Sequence, residues 1–249
     1  MKLIMRADDL GFSDGVNCGI LKSVKDGLIT SVGLMPNMQE AKNGYEMIKD
    51  YRVCLGQHTN ICVGRPLADP KLIPSLVQEN GAFCSSQEIR QRTNDTIVME
   101  EAEIEIEAQL KRFRAITGKN PDYFEGHAIF SEKFFQALEN VAERQGLFYS
   151  NPVDKEWSEK YGIACSSFYH LDENGLYDIE KYIFEDEAKI LDKQCAVLVF
   201  HPGYIDQYLL DHSSYTIIRP METAFLCSKK LKDYIQKMDI EIVDFNSYT

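Results

Sequence analysis

Residues able to do chemistry recur at four separated places in this chain, each beside a short apolar run. Asp8 and Asp9 end the run from Met1 to Ala7, and Gly11 follows. His58 follows Val53-Cys54-Leu55-Gly56-Gln57, and His127 follows Pro121 to Gly126. His201 follows Cys195 to Phe200 and leads into Pro202-Gly203-Tyr204. The remaining two histidines, His170 and His212, end no such run. A carboxylate at the end of a buried strand must be paired, hydrogen-bonded or bound to a metal. Two imidazoles and a carboxylate form a common triad for a catalytic divalent metal, with positions left open for water and substrate. Asp9 is read as such a ligand and Asp8 as a base beside it. A metal there lowers the pKa of water towards ~7. A further His protonates the leaving group or holds the oxyanion. That set performs metal-assisted hydrolysis. The chain has no Walker A loop or G-x-G-x-x-G segment, which disfavours phosphoryl and hydride transfer.

The elements that must position these residues alternate between strand and helix. Strands are expected near 1–7, 28–35, 53–56, 121–127, 147–149, 195–200 and 240–245. Helices are expected from Ser13 to Gly27, Glu40 to Tyr51, Met99 to Ile116, Ser131 to Gly146, Asp178 to Lys193 and Pro220 to about Met238. Alternation of this kind predicts parallel βαβ units, and continuous apolar strands predict a sheet covered on both faces. The fold class is therefore α/β, a TIM-like (β/α) barrel, with the site on the rim formed by the C-terminal strand ends. No repeat or linker divides the chain, so residues 1–249 are read as one domain. Residues 61–95, with Pro66, Pro70, Pro74 and Gly81, have no sustained period and read as a lid-like segment. The run Glu100, Glu101, Glu103, Glu105 and Glu107 reads as a solvated helix face.

Bulk properties narrow the partners. The 249 residues carry a formal charge of −12, which repels phosphate backbones and disfavours nucleic acid. No apolar run approaches the roughly 20 residues of a membrane span. The seven cysteines include no C-x-x-C pair, which fits reduced thiols, and the first strand begins without a leader. A cytoplasmic location is expected.

The motifs also carry a resemblance. Arg6-Ala7-Asp8-Asp9-Leu10-Gly11, Val16-Asn17-x-Gly19-Ile20, Gly27 to Ser31 and Leu34-Met35-x-Asn37 follow one another at a recognisable spacing. Leu55-Gly56-Gln57-His58, Arg65-Pro66-Leu67, Glu125-Gly126-His127, His201-Pro202-Gly203-Tyr204-x-Asp206, Ser213-Ser214-Tyr215 and Arg219 complete the set. In these motifs the chain resembles YdjC-type (ChbG-like) carbohydrate deacetylases over nearly its whole length. The resemblance implies a distorted TIM-like barrel that hydrolyses the acetamide of an N-acetylated mono- or oligosaccharide, chitooligosaccharide-like, and releases acetate. It implies Asp9, His58 and His127 as metal ligands, Asp8 as general base, and His201 as general acid or oxyanion partner. Magnesium is the metal it implies, whereas the two imidazoles favour zinc on physical grounds. Tyr204, Tyr215 and Arg219 are candidates for contact with the sugar, and Arg219 is also a candidate partner for Asp8. A homodimer is a candidate assembly. Two departures stand out: Glu125 replaces the family's usual Asp, and Ala128-Ile129-Phe130 replaces a run of His. They leave two alternatives, a catalytically impaired carbohydrate-binding relative and a metal hydrolase of another amide or ester.

Overall fold

The computed structural model describes residues 1–248. Strand β1 (Lys2–Leu10) lies at the middle of the sheet. Leu3, Ile4, Met5, Ala7 and Leu10 on it are all essentially without solvent exposure, so both of its faces are covered. Helix α1 (Asp14–Asp26) follows, capped by Ser13, whose Oγ accepts the Val16 N–H. Then come β2 (Ser31–Leu34), α2 (Ala41–Ile48) and β3 (Cys54–Thr59). After the irregular stretch lie α3 (Ser86–Gln91), α4 (Met99–Thr117), β4 (Phe124–Gly126), α5 (Glu132–Gln145) and α6 (Lys155–Tyr161). The chain continues through β5 (Ala164–Cys165), α7 (Ile179–Phe184), β6 (Cys195–Phe200), α8 (Gln207–His212), α9 (Ile218–Leu226), α10 (Lys229–Lys237) and β7 (Glu241–Val243).

Every pairing between these strands is parallel, in the order β4-β3-β2-β1-β6-β5. β7 pairs with the first residues of β1, on the edge that β2 occupies further along. Beyond β4 the sheet is extended by a single bridge from Phe124 to Tyr149. The result is a curled, partly open sheet wrapped in helices, the distorted TIM-like barrel expected from the alternation. One cavity opens between residues 150–153 and 165–169, where the curl fails to close.

Helix α1 is drawn tightly against the loop after β6. A Cβ on Gly19 would lie 2.3 Å from the Gly203 Cα, so only glycine permits this approach. Asp206 strengthens the junction by accepting the Gly15 N–H at 2.7 Å while it caps α8. These contacts fix the chain immediately after His201.

Some expected elements differ. The expected strand at 147–149 is reduced to the Tyr149 bridge. Helix 178–193 ends at Phe184, because Asp186 and Lys189 adopt left-handed backbone conformations that cannot continue a helix. α6 and β5 are not among the expected elements; each is too short to display a period. Glu105 is not solvated: it is fully buried, and its carboxylate accepts the Leu67 and Ala68 N–H groups at 3.0 and 2.8 Å. It thereby ties residues 61–95 to α4. Ile61, Cys62, Ile73, Leu76 and Phe83 of that segment are buried in one cluster with α4 and α5 side chains. No residue of 61–95 lines the cavity, so the lid-like expectation meets a packed segment. Among the described residues, no helix is long and apolar enough to cross a membrane.

Candidate metal centre

Strand alternation puts Arg6 and Asp8 on one face of β1, and would put Asp9 on the other. A backbone irregularity between Ala7 and Leu10 cancels that alternation. Asp9 takes φ +75°, the left-handed region rare for a residue with a side chain. Non-glycine strain of this kind costs on the order of 1–3 kcal/mol and clusters at functional sites. Its effect here is to aim two adjacent carboxylates at one region. Asp8, Asp9 and His58 are expected just past strand ends, but Asp8 and Asp9 fall inside β1 and His58 inside β3.

Asp9, His58 and His127 converge. Asp9 Oδ1 lies 3.2 Å from His58 Nε2 and 3.0 Å from His127 Nδ1, and the two ring nitrogens are 2.9 Å apart. Asp9 Oδ1 is buried, and none of its contacts has hydrogen-bond geometry. A cation about 2.1 Å from three ligands on one octahedral face would set them ~3.0 Å apart, and a tetrahedral face would set them ~3.4 Å apart. The observed edges of 2.9 to 3.2 Å put all three atoms within reach of one cation. The residues therefore fit a divalent metal.

Neighbouring groups tune each of the three side chains. Glu125 Oε1 bonds His58 Nδ1, which leaves Nε2 to face the triangle. β3 and β4 place these two residues in register, so they form a cross-strand pair. Burial opposes the charge on Asp9, but His127 and Arg219 hold its carboxyl well below the usual range. Burial opposes a charged His127, yet Asp9 raises it to about 9. Burial likewise opposes a charged His58, and Glu125 and Asp8 push it well above its ordinary value.

Asp8 Oδ2 accepts from Arg6 Nη2 at 2.7 Å, while its buried Oδ1 has no hydrogen-bond partner. His201 also lines the cavity, and its buried Nδ1 is unpartnered. Burial drops its pKa to about 4, so the imidazole is neutral near pH 7. Its backbone N–H donates to Glu222, a fully buried carboxyl that also accepts the hydroxyls of Tyr177 and Tyr215, at 3.0 and 2.9 Å. Burial, against these donors, raises Glu222 to about 7.

The three proposed sugar contacts are placed differently. Arg219 is only 2% exposed and pairs with Asp9 Oδ2 at 2.7 Å, rather than with Asp8. Its Nε donates to the Tyr215 carbonyl, so the guanidinium is held among protein groups. The Tyr215 hydroxyl is spent on Glu222. None of Tyr204, Tyr215 and Arg219 lines the cavity. Arg6 and Glu222 carry no expected role from sequence, and Glu125 stands there only as a departure from the family pattern. Arg6 sits two residues before Asp8, and Glu125 two before His127; same-face spacing on a strand was the available signal. Glu222 offered none, because only the fold brings α9 under His201.

A family model described as YdjC-like protein matches residues 2–237. A carbohydrate deacetylase of Geobacillus stearothermophilus is 33% identical, over 98% of this chain and 97% of its own length. One of Brevibacillus brevis is 30% identical, over 99% of both. The crystal structure of an Enterococcus faecalis V583 protein, assigned to cellobiose-phosphate cleavage, superposes with a TM-score of 0.83 at 22% identity, over 99% of this chain and 98% of that one. The arrangement of β1, β3, β4 and β6 around this centre thus has relatives along its whole length, and the chain belongs to the YdjC-like protein family.

Proposed function

We propose that the protein is a metal-dependent hydrolase that removes the acetyl group from an N-acetylated mono- or oligosaccharide, chitooligosaccharide-like, and releases acetate. The observation that carries this reading is the triangle of Asp9 Oδ1, His58 Nε2 and His127 Nδ1. Asp8 and His201 border the same cavity. The relatives named carbohydrate deacetylase support the choice of substrate.

Asp9, His58 and His127 would hold the cation; magnesium follows from the family resemblance and zinc from the imidazole ligands. When bound, it supplies Lewis acidity, which lowers the pKa of water and polarises the acetamide carbonyl. Asp8 does the proton work. Arg6 fixes one of its oxygens, and the other is free to take a proton from the attacking water. His201, neutral near pH 7, donates a ring N–H to the oxyanion of the tetrahedral intermediate. The proton held on Asp8 then passes to the amine as the C–N bond breaks, giving acetate and a free amino sugar. Glu125 retains a carboxylate on His58 despite its extra methylene, which disfavours the impaired-relative alternative.

The test couples metal analysis to turnover. Bound metal is determined in purified protein, and acetate release from N-acetylglucosamine oligomers is followed with and without added magnesium or zinc. Stoichiometric metal that is lost in His58→Ala and His127→Ala, together with acetate release, supports the reading. Metal without acetate release from any acetylated sugar overturns the substrate assignment. Turnover that survives chelation and both His substitutions overturns the metal.

A further inference from the structure

His201 stands on a loop, and helix α9 grips that loop by its backbone. Arg219, Glu222 and Thr223 share one face of α9 through their i, i+3, i+4 spacing, and all three are buried. Glu222 accepts the His201 N–H, and Arg219 Nη1 donates to the His201 carbonyl at 3.4 Å. Gly203 donates its N–H to Thr223 Oγ1 at 2.9 Å. The imidazole is held less directly. Its buried Nδ1 is unpartnered, and its ring meets the Tyr215 ring edge to face, with centroids 5.2 Å apart. The direction of the ring is therefore set by its own backbone and by Tyr215.

Both supports converge on Glu222. One of its oxygens takes the His201 N–H, and the other takes the Tyr177 and Tyr215 hydroxyls. The Tyr215 proton is spent there, so Tyr215 accepts from the Tyr169 hydroxyl at 2.6 Å. Tyr169 stacks on Tyr177 with centroids 4.0 Å apart, and it lines the cavity. Glu222 itself is absent from the cavity lining and from the Asp9–His58–His127 triangle. Among the described residues no cation pairs with it, because Arg219 gives its Nη2 to Asp9. A buried carboxylate without a cation is costly, and three donors from three separate segments offset that cost here.

We propose that Glu222 is a positioning residue, whose carboxylate aims the His201 imidazole at the oxyanion by holding the His201 N–H and the Tyr215 hydroxyl together. The proposal rests on the deacetylase reading for the reaction step and on the geometry for the restraint. The groups that face Glu222 are Tyr177 before α7, Tyr215 before α9, the His201 N–H after β6 and Arg219 on α9 itself. Burial puts its ionisation near pH 7, against these donors. A protonated carboxyl cannot accept all three donors, so the hold loosens as pH falls through about 7.

The test reads the restraint separately from turnover. In NMR spectra of zinc-loaded protein, the His201 N–H should resonate downfield and move upfield as Glu222 takes up a proton. Glu222→Gln should abolish that titration. Tyr177→Phe should raise its midpoint, since the lost hydroxyl favours the carboxylate. In acetate release, Glu222→Leu should lower kcat roughly 10- to 100-fold, with KM changed less than about threefold and metal content kept. Glu222→Gln should recover part of that loss, because its amide oxygen can still accept the His201 N–H. In a His201→Ala background neither Glu222 substitution should lower kcat further. If Glu222→Leu does not fold, Glu222→Gln and Tyr177→Phe carry the same comparisons. A His201 N–H indifferent to Glu222→Gln, unchanged kcat in the Glu222 variants, or an equal loss with and without His201 overturns the proposal. An N–H that titrates as expected in protein releasing no acetate upholds the restraint and removes the deacetylase reading instead.

Discussion

Glu125 lies outside the Asp9–His58–His127 triangle, yet it should set the strength of metal binding. Its carboxylate holds His58 by Nδ1 and so fixes which nitrogen faces Asp9 and His127. Removing such an orienting partner typically costs 10–100-fold in metal affinity, or about 1.4–2.7 kcal/mol. The structure isolates the effect well. In Glu125→Ala, Arg6 keeps its 2.7 Å pair with Asp8, so no buried cation is orphaned. The substitution should also change the pH dependence. In metal-free protein Glu125 and Asp8 hold His58 well above its ordinary value, and Asp9 holds His127 at about 9. Metal must therefore displace protons, and affinity should rise with pH up to about 9. Without Glu125, His58 gives up its proton more readily, so the rise should flatten. Calorimetric titration of chelator-treated protein with zinc, at several pH values, reads both effects. Glu125→Asp should lose less than tenfold, since it restores the family's usual residue. Wild-type affinity in Glu125→Ala, alongside its loss in His58→Ala, would refute the reasoning.

Four further outcomes follow from the same geometry. Asp8→Asn should keep stoichiometric metal but lose acetate release by at least 100-fold; unchanged turnover removes Asp8 as the base. Arg219→Leu should destabilise metal-free protein by about 3 kcal/mol, because it removes the cation bound to Asp9 Oδ2 and leaves that buried oxygen without a donor. The loss should shrink on metal loading, and equal losses in urea melts of both forms would contradict this. Gly19→Ala should cost about 1–3 kcal/mol, since its Cβ would meet the Gly203 backbone at 2.3 Å; an unchanged Tm would show that α1 can move away. The raised pKa of His127 should make metal-free protein lose stability as pH rises. Its contribution is complete below an ordinary value near 6.5 and is lost through about 9, so the Tm should fall across that window. A flat Tm would remove the Asp9–His127 coupling.

Much of the centre was legible because its residues sit on the C-terminal halves or ends of apolar strands. Asp8, Asp9, His58, His127 and His201 each carry that local signature, and a parallel sheet gathers strand ends on one rim. The supporting groups are set by register and long-range packing. Glu125 meets His58 only because β3 and β4 align those two positions. Glu222 reaches the His201 N–H only once α9 lies beneath the loop after β6. Arg219, next to Pro220, looks equally like a surface residue in one dimension, yet it is buried against Asp9. The left-handed turn at Asp9 has no sequence signature, since the next residue, Leu10, continues the strand. α6 and β5 were missed for a simpler reason: seven and two residues cannot display a period.

The central place of β1 has a consequence during synthesis. Its first residues hydrogen-bond to strands that begin at Cys195 and Glu241, about 190 to 240 residues further along. At translation rates of 5–20 residues per second, β1 leaves the ribosome roughly 10–40 s before β6 can join it. Throughout that interval an apolar strand carrying both acidic site residues lacks one edge partner. Arg219, the cation that pairs with Asp9, is made later still. The candidate centre therefore cannot form piecewise, and a chain stalled before β6 would expose a bare apolar strand edge, open to pairing with another chain.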